Sequence, residues 1–292
     1  MFELAEHTIF LTLAGSQAHG TAREGSDVDV RGVCVAPLRE RLSLFNRFEQ
    51  YEGALPAALT GAVAAHVRGH PSAEAGAQRK TECAIFELAK FVSLCAAANP
   101  SALEILFSDE RDWVVATPAW RTLHDARHMF LTRRVGQTFV GYALAQLKRI
   151  ETHRAWLINP PTHEPSRAEF PGDKPYRAAQ KRWAQYQSWK EHRNEARAAL
   201  ERDHGYDTKH AMHLVRLLRM GAEALETGDL RVRRADADEL CAIRDGALSF
   251  TELRAVADAL ASRMEDTAAR STLPDDIDPA AVDALALPLM LS

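Results

Sequence analysis

The 292-residue sequence is poor in cysteine, with only Cys34, Cys83, Cys95 and Cys241 and no pair at CxxC spacing. That scarcity excludes a disulfide framework and a zinc knuckle, and it predicts reduced, mostly buried thiols. A long apolar run is also missing. The longest, residues 54–67, is interrupted by Pro56 and Gly61 and falls short of the ~20 residues a bilayer-spanning helix needs, so no membrane helix is expected. The opening residues MFELAEHTIF place acids where a secretory leader carries its basic flank, which points to a cytosolic protein. Nor is there an excess of positive charge: 36 basic side chains stand against 40 acidic ones, a net −4, which argues against a protein coated with cations for bulk nucleic-acid binding. What the chain has is 46% hydrophobic and 26% charged residues, the balance of a globular protein of about two domains.

The charge is unevenly spread. Residues 121–202 carry 16 Lys and Arg against 8 Asp and Glu, a local +8 that leaves −12 for the rest. A basic middle between acidic flanks suits a polyanion held along one surface, and equally suits a solvated, charge-rich helix.

Strand signals are concentrated early. Residues 8–13 (TIFLTL) are β-branched and apolar, and residues 28–35 (VDVRGVCV) alternate with period two. A Pro/Gly/Ala-rich stretch, 53–78, reads as an irregular insertion; a further strand is predicted over 80–85, then a helix with Phe86, Leu88, Phe91, Val92 and Cys95 on its apolar side, stopped by Asn99-Pro100. Beyond Trp113 the strand signals fade, and helices are predicted over 119–129, 136–157, 175–202, 208–226 and 249–269. The expected fold is α+β, with a catalytic domain at 1–112, a helical domain at 113–270 that binds substrate or nucleotide, and an acidic tail with a short apolar end at 271–292. No internal repeat is evident.

The densest chemistry lies in GSQAHGTAREGSDVDVRG, residues 15–32. Gly15 and Gly20 allow backbone amides to approach an anion, and Ser16 adds a hydroxyl donor, so the turn is suited to a triphosphate. A helix starting after Ser16 would favour the same negative charge. Asp27 and Asp29, two apart on a predicted strand, leave the same face about 6 to 7 Å apart at their Cα atoms. Their carboxylates can converge on Mg²⁺ or Mn²⁺, and a pair of such ions can clamp the attacking and leaving oxygens of a phosphoryl displacement. Each part alone is weak evidence; the conjunction carries the argument.

GSQAHGT followed by SDVD resembles the active-site signature of nucleotidyltransferases of the DNA polymerase beta superfamily. The likeness extends through ECAIFELAKFVSLCAAANPSALEILF, FVGYALAQLKRI, YDTKHAMHLVRLLRMGAEALETGDL and STLPDD to the bacterial group described as RNA-repair-pathway polymerase-beta-type nucleotidyltransferases. The resemblance implies a third carboxylate on a strand beside the Asp27/Asp29 strand. Glu82 is the candidate, although superfamily members commonly carry Asp there, and Glu87, one turn later, is the alternative. Arg31 is placed to touch phosphate or to pair with a ligand carboxylate, and His19 either contacts nucleotide or faces solvent.

On the helix predicted from Asp207, its N-cap, Ala211, Leu214, Val215, Leu218, Ala222 and Leu225 form an apolar side with Lys209, His213 and Arg216 on one ridge opposite. The ridge is read either as a phosphate-binding surface or as a solvated face; the resemblance includes this segment. His210 and His213 have the spacing of metal ligands, but with no carboxylate or cysteine at a matching offset no zinc site is expected. Trp183, Tyr186 and Trp189 recur among Lys181, Arg182, Lys190 and Arg193, a pattern used to stack single-stranded nucleic acid and, more commonly, to fill a core. Together these readings predict a Mg²⁺-dependent (or Mn²⁺-dependent) transfer of a nucleoside monophosphate from an NTP to a hydroxyl, with RNA as the leading acceptor. The alternatives are a protein or small-molecule acceptor, such as an aminoglycoside, and a catalytically silent nucleotide- or RNA-binding regulator.

Overall fold

The computed structural model describes residues 2–69, 81–193 and 195–291. By compactness the chain divides into two units: Met1–Gly141 with Leu217–Asp238 and Leu260–Ser292, and Tyr142–Arg216 with Glu239–Ala259. The first holds a mixed sheet with helices and the second is helical, so the fold is α+β as expected. No helix among the described residues is long and apolar enough to cross a membrane.

In the first unit the order is β1 (Thr8–Leu13), α1 (Gly15–His19), β2 (Val28–Cys34), α2 (Leu38–Arg41), β3 (Gln50–Gly53), α3 (Ala57–Gly69), β4 (Thr81–Glu87), α4 (Leu88–Ala96), α5 (Pro100–Leu106), β5 (Trp113–Ala116) and α6 (Pro118–Asp125). Across the sheet the strands run β3-β4-β2-β1-β5. β2 and β4 are parallel and the remaining pairs antiparallel. Alternation in β2 sends Val28 and Val30 into an apolar layer with Leu11, Leu13, Cys83 and Ile85, capped by Leu59 and Val63 of α3. That helix lies in the stretch expected to be irregular. The Pro and Gly content suggested a loop, but Leu59 and Val63 at i, i+4 give the segment one apolar stripe, and sheet burial overrides the propensity of Gly61. Residues 70–78 of that stretch, and Lys80 of the expected strand, lie outside the described residues. On the sheet's other side Phe10 stacks on Trp120 with ring centroids 3.6 Å apart, and Trp113 and Phe91 complete the cluster. Gly32 is required where β1 and β2 meet, because a Cβ there would come within 2.6 Å of the Phe10 carbonyl.

Glu87 caps α4 by accepting the Ala89 N–H at 2.7 Å. Asn99-Pro100 ends that helix and also starts α5, with Asn99 Oδ1 accepting the Ala102 N–H and Pro100 at the first helical position. Further along the chain come α7 (Arg134–Ile158), α8 (Asp173–Glu191), α9 (Glu195–His204), α10 (Thr208–Thr227), α11 (Ala237–Arg244), α12 (Phe250–Arg270) and α13 (Pro279–Leu291). The single helix expected over 175–202 is two, α8 and α9. Arg193 lies between them, its guanidinium 4.6 Å from the Trp189 ring centre and its Nε donating to Glu201 at 2.7 Å. The apolar end of the chain is α13, which buries Val282 and Ala286 and packs on α4 and α6. In the second unit the Tyr206 hydroxyl donates to the Leu248 carbonyl at 2.7 Å, and Thr208 donates to that of Arg244 at 2.6 Å.

The four cysteines form no disulfide, and Cys34, Cys83 and Cys95 are buried. Burial, aided by the Glu87 charge, pushes the Cys34 thiol up to about 12, and burial pushes Cys83 to about 11.

Candidate active site

The sheet brings three of the predicted residues to one place. Val28 and Val30 point into the apolar layer, so Asp29 and Arg31 leave β2 on the opposite face, half-buried, and Asp27 is exposed just before the strand begins. In the parallel pairing of β2 with β4, Asp29 lies directly opposite Glu82. Neighbouring strands are about 4.8 Å apart and opposed side chains share a face, so the two carboxylates form a pair without any turn or loop to align them. Glu82 is exposed. The Arg31 guanidinium sits 3.6 Å from Asp29 Oδ1 and donates to the Val30 carbonyl at 2.9 Å and that of Glu82 at 3.4 Å. Pairing with a carboxylate was one of the two readings for Arg31, and that contact is present.

The Gly-Ser turn closes the other side. The Ala14 N–H donates to the Asp29 carbonyl at 2.8 Å, which pins the end of β1 to β2. Gly15 has φ +57°, and a Cβ there would collide with Asp29 Oδ2. Only glycine lets this backbone lie against that carboxylate. Ser16 is half-buried, and α1 ends at Gly20, φ +77°, with the Thr21 N–H returning to the Ser16 carbonyl at 2.9 Å.

His19 does not face solvent as the loop position suggested. It is buried, with Nε2 3.0 Å from Glu104 Oε2. Glu87, the alternative third carboxylate, is remote from Asp29: it pairs in register with Cys34, five positions along β4 from Glu82, about 16 Å away and on the opposite face. There it is buried, 3.9 Å from Arg41, and burial pushes its carboxyl above the usual carboxylate range despite the Ala89 hydrogen bond and the Arg41 charge.

Sequence reasoning missed the anchors of the loop. Arg233 donates from Nη2 to the Gln17 carbonyl at 3.3 Å and to Asp112 at 2.9 Å, Asp112 being fully buried. The Arg234 N–H donates to the His19 carbonyl at 3.1 Å. Its buried guanidinium makes two bonds of 2.6 Å to Glu223 and one of 2.8 Å to Asp236. Burial opposes the Asp236 charge, but hydrogen bonds from Arg219 and Arg234 hold its carboxyl below the ordinary range. The charge-dense RVRRADAD, residues 231–238, was the available signal, but it has no periodicity to assign it a partner.

Lys209, His213 and Arg216 lie on α10 within the second unit. None is exposed, and Arg216 retains only 5% of its surface, so this ridge is not a solvated face. Asp207 caps the helix as expected, with Oδ1 accepting the His210 N–H at 3.0 Å. Trp183, Tyr186 and Trp189 pack in edge-tilted contact with one another and with Trp156, and Tyr186 is buried. The stripe is core packing first.

Oxygen is the only donor type that Asp27, Asp29 and Glu82 offer, which fits hard cations such as Mg²⁺ or Mn²⁺, and the glycine cradle at Gly15 leaves the Asp29 carboxylate accessible beside backbone amides. No curated protein and no solved structure matches the chain. Over residues 3–288 it matches the family RlaP, described as the RNA repair pathway DNA polymerase beta family. With nearly its whole length in that match, the chain belongs to the RNA repair pathway DNA polymerase beta family.

Proposed function

We propose that this protein is a metal-dependent nucleotidyltransferase that moves a nucleoside monophosphate from an NTP to a hydroxyl on RNA and releases pyrophosphate. The observation that carries the reading is the register of Asp29 with Glu82 beside the Gly15 cradle. A pair of Mg²⁺ or Mn²⁺ ions, when bound, would help ionise the attacking hydroxyl and neutralise charge on the departing pyrophosphate. Asp27 and Asp29 are the residues that would hold both ions, with Glu82 completing the set on the side of the attacking hydroxyl. Gly15 and Ser16 hold the outgoing phosphates through backbone amides and the Ser16 hydroxyl. Arg31 keeps the Asp29 carboxylate in position. Lys209, His213 and Arg216, two cations and a histidine on one ridge of α10, are assigned to phosphate binding; none of the three is exposed.

The test is incubation of the pure protein with each α-labelled NTP, Mg²⁺ or Mn²⁺ and RNA. Label is expected in the RNA, with RNA affinity falling linearly against log salt. Label on protein or on an aminoglycoside would move the acceptor to those classes, and binding of NTP without transfer under any condition would make the protein a silent regulator.

A further inference from the structure

The second unit carries a cluster that the active site does not use. His153, near the end of α7, stacks on Trp156 with ring centroids 5.5 Å apart and lies 5.6 Å from the Trp189 ring and 6.1 Å from that of His210. Asp207 spends Oδ1 on the His210 N–H, while its Oδ2 lies 3.5 Å from His210 Nε2. One ligand atom each from His153, Asp207 and His210 can be chosen so that all lie within 4.8 Å of one another. Asp207 and His210 are buried, and His153 is half-buried.

We propose that these three side chains bind one transition-metal ion of the zinc class, with water in the fourth position. Two imidazoles and a carboxylate form a borderline donor set that favours Zn²⁺ over Mg²⁺, unlike the oxygen-only set on β2 and β4. Bonds of 2.0 to 2.2 Å in a tetrahedron separate ligand atoms by about 3.4 Å. The Asp207–His210 pair already has about that separation, and a ligand atom of His153 lies within 4.8 Å of both, so binding needs the third ligand to move in by about 1 Å. The capping bond fixes the Asp207 carboxylate before any ion arrives, so little ordering is left to the binding step. The bound ion ties the end of α7 to the start of α10 within this unit, and its binding free energy adds to the unit's stability. The sequence showed His210 and His213 at ligand spacing but led to no zinc site being expected. The ligand partners are instead Asp207, three residues earlier, and His153 from another helix.

The full chain, stripped with a chelator, is titrated with Zn²⁺ and with Co²⁺. One tight Zn²⁺ per chain, a higher Tm and the intense visible absorption of four-coordinate Co²⁺ are expected. X-ray absorption of the zinc form should show imidazole scattering. His153→Phe keeps a ring against Trp156 and Trp189 while removing the donor nitrogen. It and His210→Phe should each weaken Zn²⁺ binding at least about a hundredfold and abolish the Co²⁺ absorption. Asp29→Ala should leave both signals intact, which separates this site from the one on the sheet. An oxygen-only zinc shell, a weak six-coordinate Co²⁺ spectrum, or His153→Phe binding Zn²⁺ as the parent does would overturn the proposal, and the first two do not depend on any variant folding.

Discussion

Glu82 and Glu87 stand on the same strand five residues apart, and the sheet puts them in opposite circumstances. Glu82 is exposed at the amino end of β4, in register with Asp29 and beside the glycine turn. Glu87 is buried at the carboxyl end, in register with Cys34, where it caps α4 and faces Arg41. The strand's period of two and the odd spacing send them to different faces. An acid is useful for holding a cation where its charge stays solvated and another carboxylate is near; where burial disfavours the charge, it serves as a hydrogen-bond acceptor.

Four substitutions bear on that contrast. Asp29→Ala has the largest expected effect. It removes the central carboxylate of the open end and should reduce transfer below detection. Stability should change by no more than about 1 kcal/mol, because the partly exposed Arg31 pair contributes little. Residual turnover near the parent's in Mg²⁺ would remove Asp29 from the site. Glu82→Gln should come next, lowering kcat more than about a hundredfold while NTP affinity shifts by only a few fold, since the residue is assigned to the nucleophile's side. Equal losses in both would place Glu82 on the triphosphate, and no loss in either would remove it.

Gly15→Ala deletes no ligand but drives a methyl into Asp29 Oδ2 at a backbone φ of +57°. A loss of about tenfold in kcat/KM is expected from displaced carboxylate geometry, together with about 1 kcal/mol of backbone strain. Full activity would mean that Asp29 moves aside freely. Smallest of all is Glu87→Gln, which keeps an acceptor for the Ala89 N–H. Turnover should be unchanged. Because burial holds the Glu87 carboxyl above its ordinary 4.5, its favourable contribution is fully present below 4.5 and is lost as pH rises through the raised folded value. Thermal melts should therefore show the parent gaining on the variant as pH falls from 7 towards 4.5. The opposite trend, or any loss of transfer, would break the distinction between the two ends of the strand.

Much of this could be read from residues alone wherever the evidence was local and periodic. The alternation of β2, the Gly-Ser turn, the Asp27/Asp29 spacing, the Asp207 cap and the apolar side of α10 all depend on neighbours within one helical turn or one strand repeat. Segments whose structure depends on distant burial were not legible. Residues 57–69 looked irregular until the sheet supplied a surface for Leu59 and Val63, and β5 is a four-residue strand with meaning only beside β1. His19 looked like a loop histidine because nothing near it in sequence announces Glu104.

The sequence by itself determined the donors and their local presentation: two aspartates two apart, a glycine able to adopt positive φ before a serine, and a helix whose cations stand off its apolar side. Tertiary structure alone decided which glutamate meets Asp29, since that follows from how β4 pairs with β2 across more than fifty residues of chain. It also decided that Arg233 and Arg234 anchor the loop and that His153 joins Asp207 and His210. The reason is one of range: φ, ψ and side-chain period act over a few residues, whereas register, burial and charge pairing are set only when the chain folds back on itself.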